Sequence, residues 1–183
     1  MQPDGLTDAL MGHQRCPFQG LFCAHPSFDI CWLRTPHIRN FSSIHEINRS
    51  GQVFWGLGTI GNDFSFTEQS SVFTFQHNFH VLEDAILVFS NELTGEDSRV
   101  IEYHLDEENL IAHQKWSYTR DPSLDVSVLG DVTRMESGDT HINWSMRGVM
   151  ERVSPEGLRL WEVQVSLGSA FGYSTLIDTL YPE

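Results

Sequence analysis

The chain has 183 residues, 40% of them hydrophobic, which is enough to bury one sizeable core. It carries 25 acidic residues against 11 basic ones, a net charge of −14. This charge excludes non-specific attraction to nucleic acid or anionic membranes, and no apolar stretch reaches the roughly 20 residues of a membrane span. We therefore expect one globular domain, in which any anionic substrate meets a local positive patch.

Residues 1–27 are the least regular part of the sequence. Glycines and prolines interrupt short apolar pieces such as residues 21–23, and no helical periodicity is present, so we predict loops and one strand. The first residues lack the basic and apolar regions of a signal peptide. No signal peptide is therefore expected, and the sequence leaves the compartment undetermined.

Three cysteines, Cys16, Cys23 and Cys31, lie in the first third of the chain. They form no Cys-x-x-Cys pair, and no histidine stands at a zinc-ligand spacing from them, so we predict no metal site. One disulfide with one free thiol and a set of buried free thiols are both open interpretations. We favour the buried thiols.

From residue 28 onward the sequence consists of short strand-like runs, and three segments share one pattern. Residues 42–55, 98–116 and 148–161 each read as a strand, a polar turn and a second strand that ends in tryptophan, which is typical of β-hairpins. Each segment has a glutamate in its first strand, and these glutamate–tryptophan sets are Glu46 with Trp55, Glu102 with Trp116, and Glu151 with Trp161. We expect the tryptophans to pack between repeats and the glutamates to face solvent or pair with turns.

Further strand-like runs at residues 29–33, 85–90 and 140–145 lie between these hairpins. The repeating unit is thus about four short strands in about 50 residues, which is typical of β-propeller blades. An antiparallel β-sandwich is the alternative. We predict an all-β, β-propeller-like fold of about three to four four-stranded blades, a partial or half propeller. Residues 28–183 would form the blades, and residues 1–27 an irregular N-terminal segment or partial blade.

Three blades and part of a fourth are fewer than propellers usually need to close. A missing N-terminal half, pairing with another copy of the chain, or coverage of the open edges by the N-terminal region would each resolve this.

His77 lies in a polar and aromatic loop just ahead of an apolar run, residues 85–89, that we predict to be a buried strand. Its imidazole is a candidate nucleophile, and an ordinary structural loop histidine is the alternative. His80 is a second acid–base group or a surface residue. Phe73, Phe75 and Phe79 recur at every second position, so we favour the packed face of a strand over an apolar wall for an aryl ring.

A set of short motifs in a fixed order resembles the arylsulfotransferase family of six-bladed β-propellers. These motifs cover most of the chain between residues 28 and 165, and they lie at residues 39–58, 62–66, 76–77, 87–91, 98–103, 116–118, 138–144 and 160–162.

The resemblance implies that His77, in the Gln76–His77 pair at the entry to a blade's inner strand, is a transiently sulfated nucleophile. It also implies an arginine that steadies the sulfuryl group. Arg39 fits by its register to the following Ser-Ser-Ile strand, and Arg34 fits by its position at the end of a strand; we favour Arg39. Family members carry a further upstream histidine, for which His25 is a candidate beside His13. Arg34, Gln76 and His25 are thus the predicted substrate-binding residues.

The function implied is transfer of a sulfuryl group from an aryl sulfate to a phenolic acceptor through a sulfohistidine, without a cofactor. The small aryl sulfate and phenol would be the partners, with no nucleic acid or membrane. The alternative is a non-catalytic β-propeller module that binds a ligand through the same channel mouth. The family resemblance implies a secreted or periplasmic location.

Overall fold

The computed structural model describes residues 21–23, 30–33, 40–48, 50–166 and 170–176, and these residues form an all-β structure. Two 3-10 turns, at Gln69–Ser71 and Ser145–Arg147, lie between the strands. The predicted all-β class is confirmed. Within the described ranges, no helix has the length and hydrophobicity needed to cross a bilayer.

Thirteen strands of the described residues form three sheets. The first sheet has the order β1-β2-β3-β4, with β1 Leu21–Cys23, β2 Ile30–Leu33, β3 Ser43–Asn48 and β4 Val53–Gly58. The second has the order β5-β9-β8-β7-β6, with β5 Ser65–Phe66, β6 Asn78–Val81, β7 Ala85–Ser90, β8 Arg99–Asp106 and β9 Ile111–Tyr118. The third has the order β10-β11-β12-β13, with β10 Asp131–Arg134, β11 Thr140–Asn143, β12 Val149–Val153 and β13 Arg159–Gln164.

Each sheet contains four antiparallel strands that follow one another along the chain, and only the short β5 adds a parallel pairing, to β9. The three predicted hairpins are confirmed as the strand pairs β3–β4, β8–β9 and β12–β13. The predicted strand at residues 140–145 ends earlier, at Asn143. Trp144 and Ser145 instead begin the 3-10 turn, and the Trp144 ring is buried in the core.

The second sheet is the middle layer, because both of its faces are covered. Alternate residues of a strand point to opposite faces, so Ile86 and Val88 of β7 pack towards the first sheet, and Leu87 and Phe89 pack towards the third. Every residue of β7 is buried for this reason. The predicted buried strand at residues 85–89 is confirmed, and its continuous apolar run is typical of a strand that is covered on both faces.

Glu46, Glu102 and Glu151 lie on the third strand of each sheet, close to a bulge in the hairpin. Glu46 and Glu102 stand opposite Trp55 and Trp116, whereas Glu151 stands opposite Glu162. The prediction that they face solvent or pair with turns is wrong. Glu46 is 5% exposed and Glu151 is completely buried, while Glu102 is partly buried. A buried carboxylate is tolerated only where hydrogen-bond donors or cations lie next to it. We therefore expect polar contacts between each buried glutamate and the elements packed around it.

Glu151 shows such a link in full. The Trp144 indole donates from Nε1 to its Oε1 at 2.7 Å, and Nε of Arg120 lies 3.6 Å from its Oε2. Arg120 follows the second sheet and also donates to Glu162 in β13 at 2.6 Å. Burial raises the pKa of Glu151, whereas Trp144 and Arg120 act in the opposite direction. The buried ion pair therefore joins the second and third sheets.

Glu46 has a different environment, because burial and the nearby Glu107 raise its pKa to about 7 while the Trp55 side chain lowers it. A folded pKa above the ordinary value of 4.5 means that the folded chain binds this proton more tightly than the unfolded chain. The contribution of Glu46 to the free energy of unfolding is thus largest below pH 4.5 and is lost as the pH rises through about 7.

We expect Glu46→Gln to raise the free energy of unfolding at pH 8 by about 1–2 kcal/mol relative to wild type, and to have little effect at pH 5. Urea unfolding of both proteins at the two pH values measures this. Glu107→Gln should give a smaller change of the same sign. A change in the free energy of unfolding that is equal at both pH values would contradict the raised pKa of Glu46.

Candidate functional site

Gln76 and His77 lie immediately before β6, at a point where all three sheets meet. The side-chain amide of Gln76 donates to the Ser43 carbonyl of the first sheet at 2.7 Å. The backbone N–H of His77 donates to the Phe89 carbonyl in β7 at 3.1 Å. The His77 ring contacts Gly130, the residue before β10 in the third sheet. The structure thus places His77 directly before β6, and the predicted strand at residues 85–89 follows as β7.

One backbone carbonyl orients the His77 imidazole. Nδ1 lies 2.9 Å from the carbonyl oxygen of Gly130. Because a carbonyl oxygen can only accept, Nδ1 carries the proton of the neutral ring and Nε2 carries the lone pair. The side chain is partly buried. A ring held in this way presents its nucleophilic nitrogen in a defined direction.

Gln76, a predicted substrate-binding residue, is only 2% exposed. Its Nε2 is used in the bond to the first sheet, but its Oε1 has no hydrogen-bond partner among the described residues. Buried amide oxygens are rarely left unpaired. Gln76, the residue next to His77, therefore carries a buried acceptor. Its side-chain amide N–H also anchors the loop to the first sheet.

The loop that carries Gln76 and His77 is held by hydroxyl groups on both sides. Ser42 Oγ accepts the N–H of Phe75 at 2.9 Å, and Ser90 Oγ accepts the N–H of Thr74 at 2.9 Å. Phe75 has a φ of +51°, a conformation that is unfavourable for a residue with a side chain. Strain of this kind persists only where the surrounding contacts determine the backbone. The loop is therefore fixed before any ligand arrives.

The carbonyl that binds His77 depends on a glycine. Gly130 has a φ of +111°, and a Cβ atom there would lie 2.2 Å from the ring of Phe89. Both the conformation and the close contact require glycine. Gly130 was not predicted as a site residue, although its separation from His77 in sequence, 53 residues, is close to the repeat length.

A second contact between the same sheets has the same spacing. Asn78, the first residue of β6, donates from its side-chain amide to Oδ1 of Asp131, the first residue of β10. Asn78 and Asp131 therefore occupy matching positions in consecutive sheets. The Asn78–Asp131 and His77–Gly130 pairs thus share a separation of 53 residues.

His80 makes a structural contact. Its Nδ1 accepts the backbone N–H of Arg134 at 3.0 Å. The side chain of Arg134 pairs with Glu102, and its guanidinium lies 5.1 Å from the centre of the Trp116 ring. These contacts join the second and third sheets, so His80 holds the edge of the site together rather than adding an acid–base group.

Among the three phenylalanines of the loop, Phe73 and Phe79 belong to the hydrophobic core between the first and second sheets. The packing interpretation is confirmed for these two residues. Phe75 is only partly buried.

Arg39, Arg34 and His25, the other predicted site residues, lie outside the described residues, as does Cys16. Their roles stay predictions. In the described part of the chain, no group of three or more histidine, cysteine, aspartate or glutamate residues is arranged to hold a metal ion.

An open groove of about 420 Å³ lies away from His77, between the end of β9 and the β12–β13 turn. Tyr118 and Arg159 line it. Burial and the nearby Glu151 raise the pKa of Tyr118 to about 12, and Arg159 is paired with Glu162 at 3.1 Å. The Tyr118 phenol therefore stays protonated at neutral pH, and the Arg159 guanidinium is already paired with a carboxylate. For this reason the His77 loop, and not the groove, is the candidate site.

No protein-family model matches the chain, and no curated protein matches it. Among solved structures, a protein of unknown function from Bacteroides caccae is similar, with 10% sequence identity and a TM-score of 0.44. The similarity covers 81% of this chain and 48% of that protein, so the chain spans about half the length of its structural neighbour. A similarity this distant carries no argument about function.

Proposed function

We propose that the chain is an arylsulfotransferase-like β-propeller segment in which His77 accepts a sulfuryl group from an aryl sulfate and passes it to a phenol. The propeller interpretation is supported by three consecutive sheets, each of four antiparallel strands joined in order. It is also supported by the contact between β6 and β10, the first strands of adjacent sheets, because such strands line the channel of a propeller.

The observation that carries the proposal is the hydrogen bond from His77 Nδ1 to the Gly130 carbonyl. The Nε2 lone pair attacks the sulfur of the aryl sulfate, an N–S bond forms, and the S–O bond to the aryl group breaks, so that the aryl oxide leaves with the electron pair. The ring then bears positive charge, which the Gly130 carbonyl stabilises through the Nδ1 proton. A phenol oxygen next attacks sulfur after losing its proton to solvent, and the N–S electrons return to Nε2.

The transferring group needs a cation, because its oxygens carry negative charge in a chain of net charge −14. Arg99 and Arg134, two described arginines close to the loop, are already paired with Glu92 and Glu102. Arg39 stands three residues before Ser42, whose hydroxyl holds the His77 loop. We therefore assign the sulfuryl-binding role to Arg39, with Arg34 as the alternative.

The same hydrogen bond favours a second candidate function, because it also links the second and third sheets. In a non-catalytic propeller module that binds a ligand or partner, His77 would serve only as this link. A closed ring would in either case need blades beyond these three sheets, supplied by further chain or by a second copy.

Transfer of sulfate from para-nitrophenyl sulfate to a naphthol separates the two functions. We expect wild type to catalyse transfer and His77→Gln to lose it by a factor on the order of 10³, because the amide has no nucleophilic ring nitrogen. His104→Gln is the matched control, since His104 is an exposed strand histidine bonded to the Asp84 carbonyl. If wild type transfers no sulfate, and a protein with the further blades needed to close the ring also transfers none, the non-catalytic binding module is the function.

A further inference from the structure

We infer that Ser145 is a positioning residue for His77, which it reaches through the backbone at Gly130. Ser145 is completely buried at the start of the 3-10 turn after β11. Its Oγ accepts the N–H of Gly130 at 2.9 Å, and the carbonyl of Gly130 in turn accepts the Nδ1 proton of His77 at 2.9 Å. Ser145 touches neither the ring nor a substrate position, so its effect is indirect.

The peptide unit between Leu129 and Gly130 is held at both ends. Asn91, also completely buried, donates to the Leu129 carbonyl at 2.7 Å, and Ser145 accepts the N–H of the same unit. The Gly130 carbonyl belongs to the next peptide unit, so the two restraints act on it through the φ and ψ angles of Gly130, at which glycine has the widest conformational freedom of any residue. The two side chains therefore supply the restraint that glycine itself lacks.

Ser145 is itself held in an unfavourable conformation. Its φ is +25°, and its N–H donates to Oδ1 of Asn143 at 2.9 Å. A buried non-glycine residue with positive φ is retained where the surroundings determine its backbone, and such residues concentrate at functional sites. In this conformation the Ser145 hydroxyl lies within hydrogen-bond distance of the Gly130 N–H.

The inference rests on the proposed function for its catalytic meaning, but the orientation of His77 can be measured without transfer. When the Gly130 carbonyl is fixed, the neutral ring keeps its proton on Nδ1. When the carbonyl is free to turn, the proton is no longer confined to Nδ1, and Nε2 loses part of its lone-pair character. The distribution of the proton between the two nitrogens therefore reports the action of Ser145.

The experiment is ¹⁵N NMR of the full chain with labelled histidine at neutral pH, with the His77 signals identified by their loss in His77→Gln. We expect wild type to show a protonated Nδ1 and an unprotonated Nε2. Ser145→Ala and Ser145→Gly should both shift the population towards protonated Nε2, and the glycine variant keeps the fold because it relieves the positive φ. Ser154→Ala is the control, since Ser154 is a buried turn serine whose Oγ also accepts backbone N–H groups, away from Gly130.

Unchanged His77 nitrogens in both Ser145 variants, or an equal change in Ser154→Ala, would overturn the inference. In the sulfate-transfer assay, the Ser145 variants should be about ten-fold slower in turnover, as expected for a displaced nucleophile. A tautomer shift in a protein that transfers no sulfate would support the positioning role and at the same time refute the proposed function, so the two failures are distinguishable.

Discussion

Gly130→Ala is expected to destabilise the protein by about 3–4 kcal/mol and to remove the orientation of His77. The added methyl group would meet the Phe89 ring at 2.2 Å, and a φ of +111° is unfavourable for alanine. Phe89 belongs to the core between the second and third sheets, so the clash has to be relieved by moving either the ring or the carbonyl that binds His77. Urea unfolding gives the stability, and ¹⁵N NMR of His77 gives the orientation.

Gly157→Ala is the matched control for this substitution. Gly157 has a comparable φ of +83°, but a Cβ atom there meets nothing within 4 Å. We expect a loss of only about 1 kcal/mol, from the backbone conformation alone. If both alanine variants lost the same stability, the close contact with Phe89 would not be the cause.

Glu151→Ala is expected to cost about 3–4 kcal/mol of unfolding free energy, an effect of similar size with a different cause. It leaves the Trp144 indole N–H buried without its acceptor and removes the carboxylate that lies 3.6 Å from Arg120, and removal of one partner from a buried ion pair is strongly destabilising. Chemical denaturation of the purified variant measures the loss.

Glu102→Ala is the control, because Glu102 lies on the corresponding strand of the second sheet but its ion pair with Arg134 is partly exposed. We expect about 1 kcal/mol there. The combined substitution Arg120→Met with Glu151→Leu should cost less than the sum of the single changes, since it removes both charges. Additive effects would show that Arg120 and Glu151 are not energetically coupled.

The sequence predicted most of the strands, although not β5, β6 or β10, because strand formation depends largely on local patterns. The hairpins β3–β4, β8–β9 and β12–β13 were identified from turn residues and alternating apolar side chains. The strand β7 was identified from an unbroken apolar run. In each case the information lies within a few neighbouring residues.

The burial of Glu46 and Glu151 could not be predicted in the same way. A glutamate between apolar residues of a strand is normally assigned to the solvent face. Glu151 points inward because Arg120, from the link between two sheets, lies beside it. Such a partner is distant in sequence, and its position depends on how the sheets pack, which local patterns do not contain.

The candidate site also combines features that depend on local sequence with features that depend on how the sheets pack. The position of His77 before a strand follows from the local sequence, whereas the carbonyl that orients it comes from Gly130, 53 residues later. Gly130 was missed because a glycine carries no chemistry of its own, and its contact with the imidazole depends on how the second and third sheets pack. Arg39 and Arg34 stay predictions.

The most direct test of the central claim is to trap the sulfated enzyme. The protein is incubated with para-nitrophenyl sulfate without a phenol acceptor, digested at neutral pH, and analysed by tandem mass spectrometry. We predict the added mass of one SO₃ group on His77 in wild type, its removal when a phenol is added, and its absence from His77→Gln. A wild-type protein that carries no sulfuryl group, or carries it on another residue, would contradict the assignment of His77 as the nucleophile.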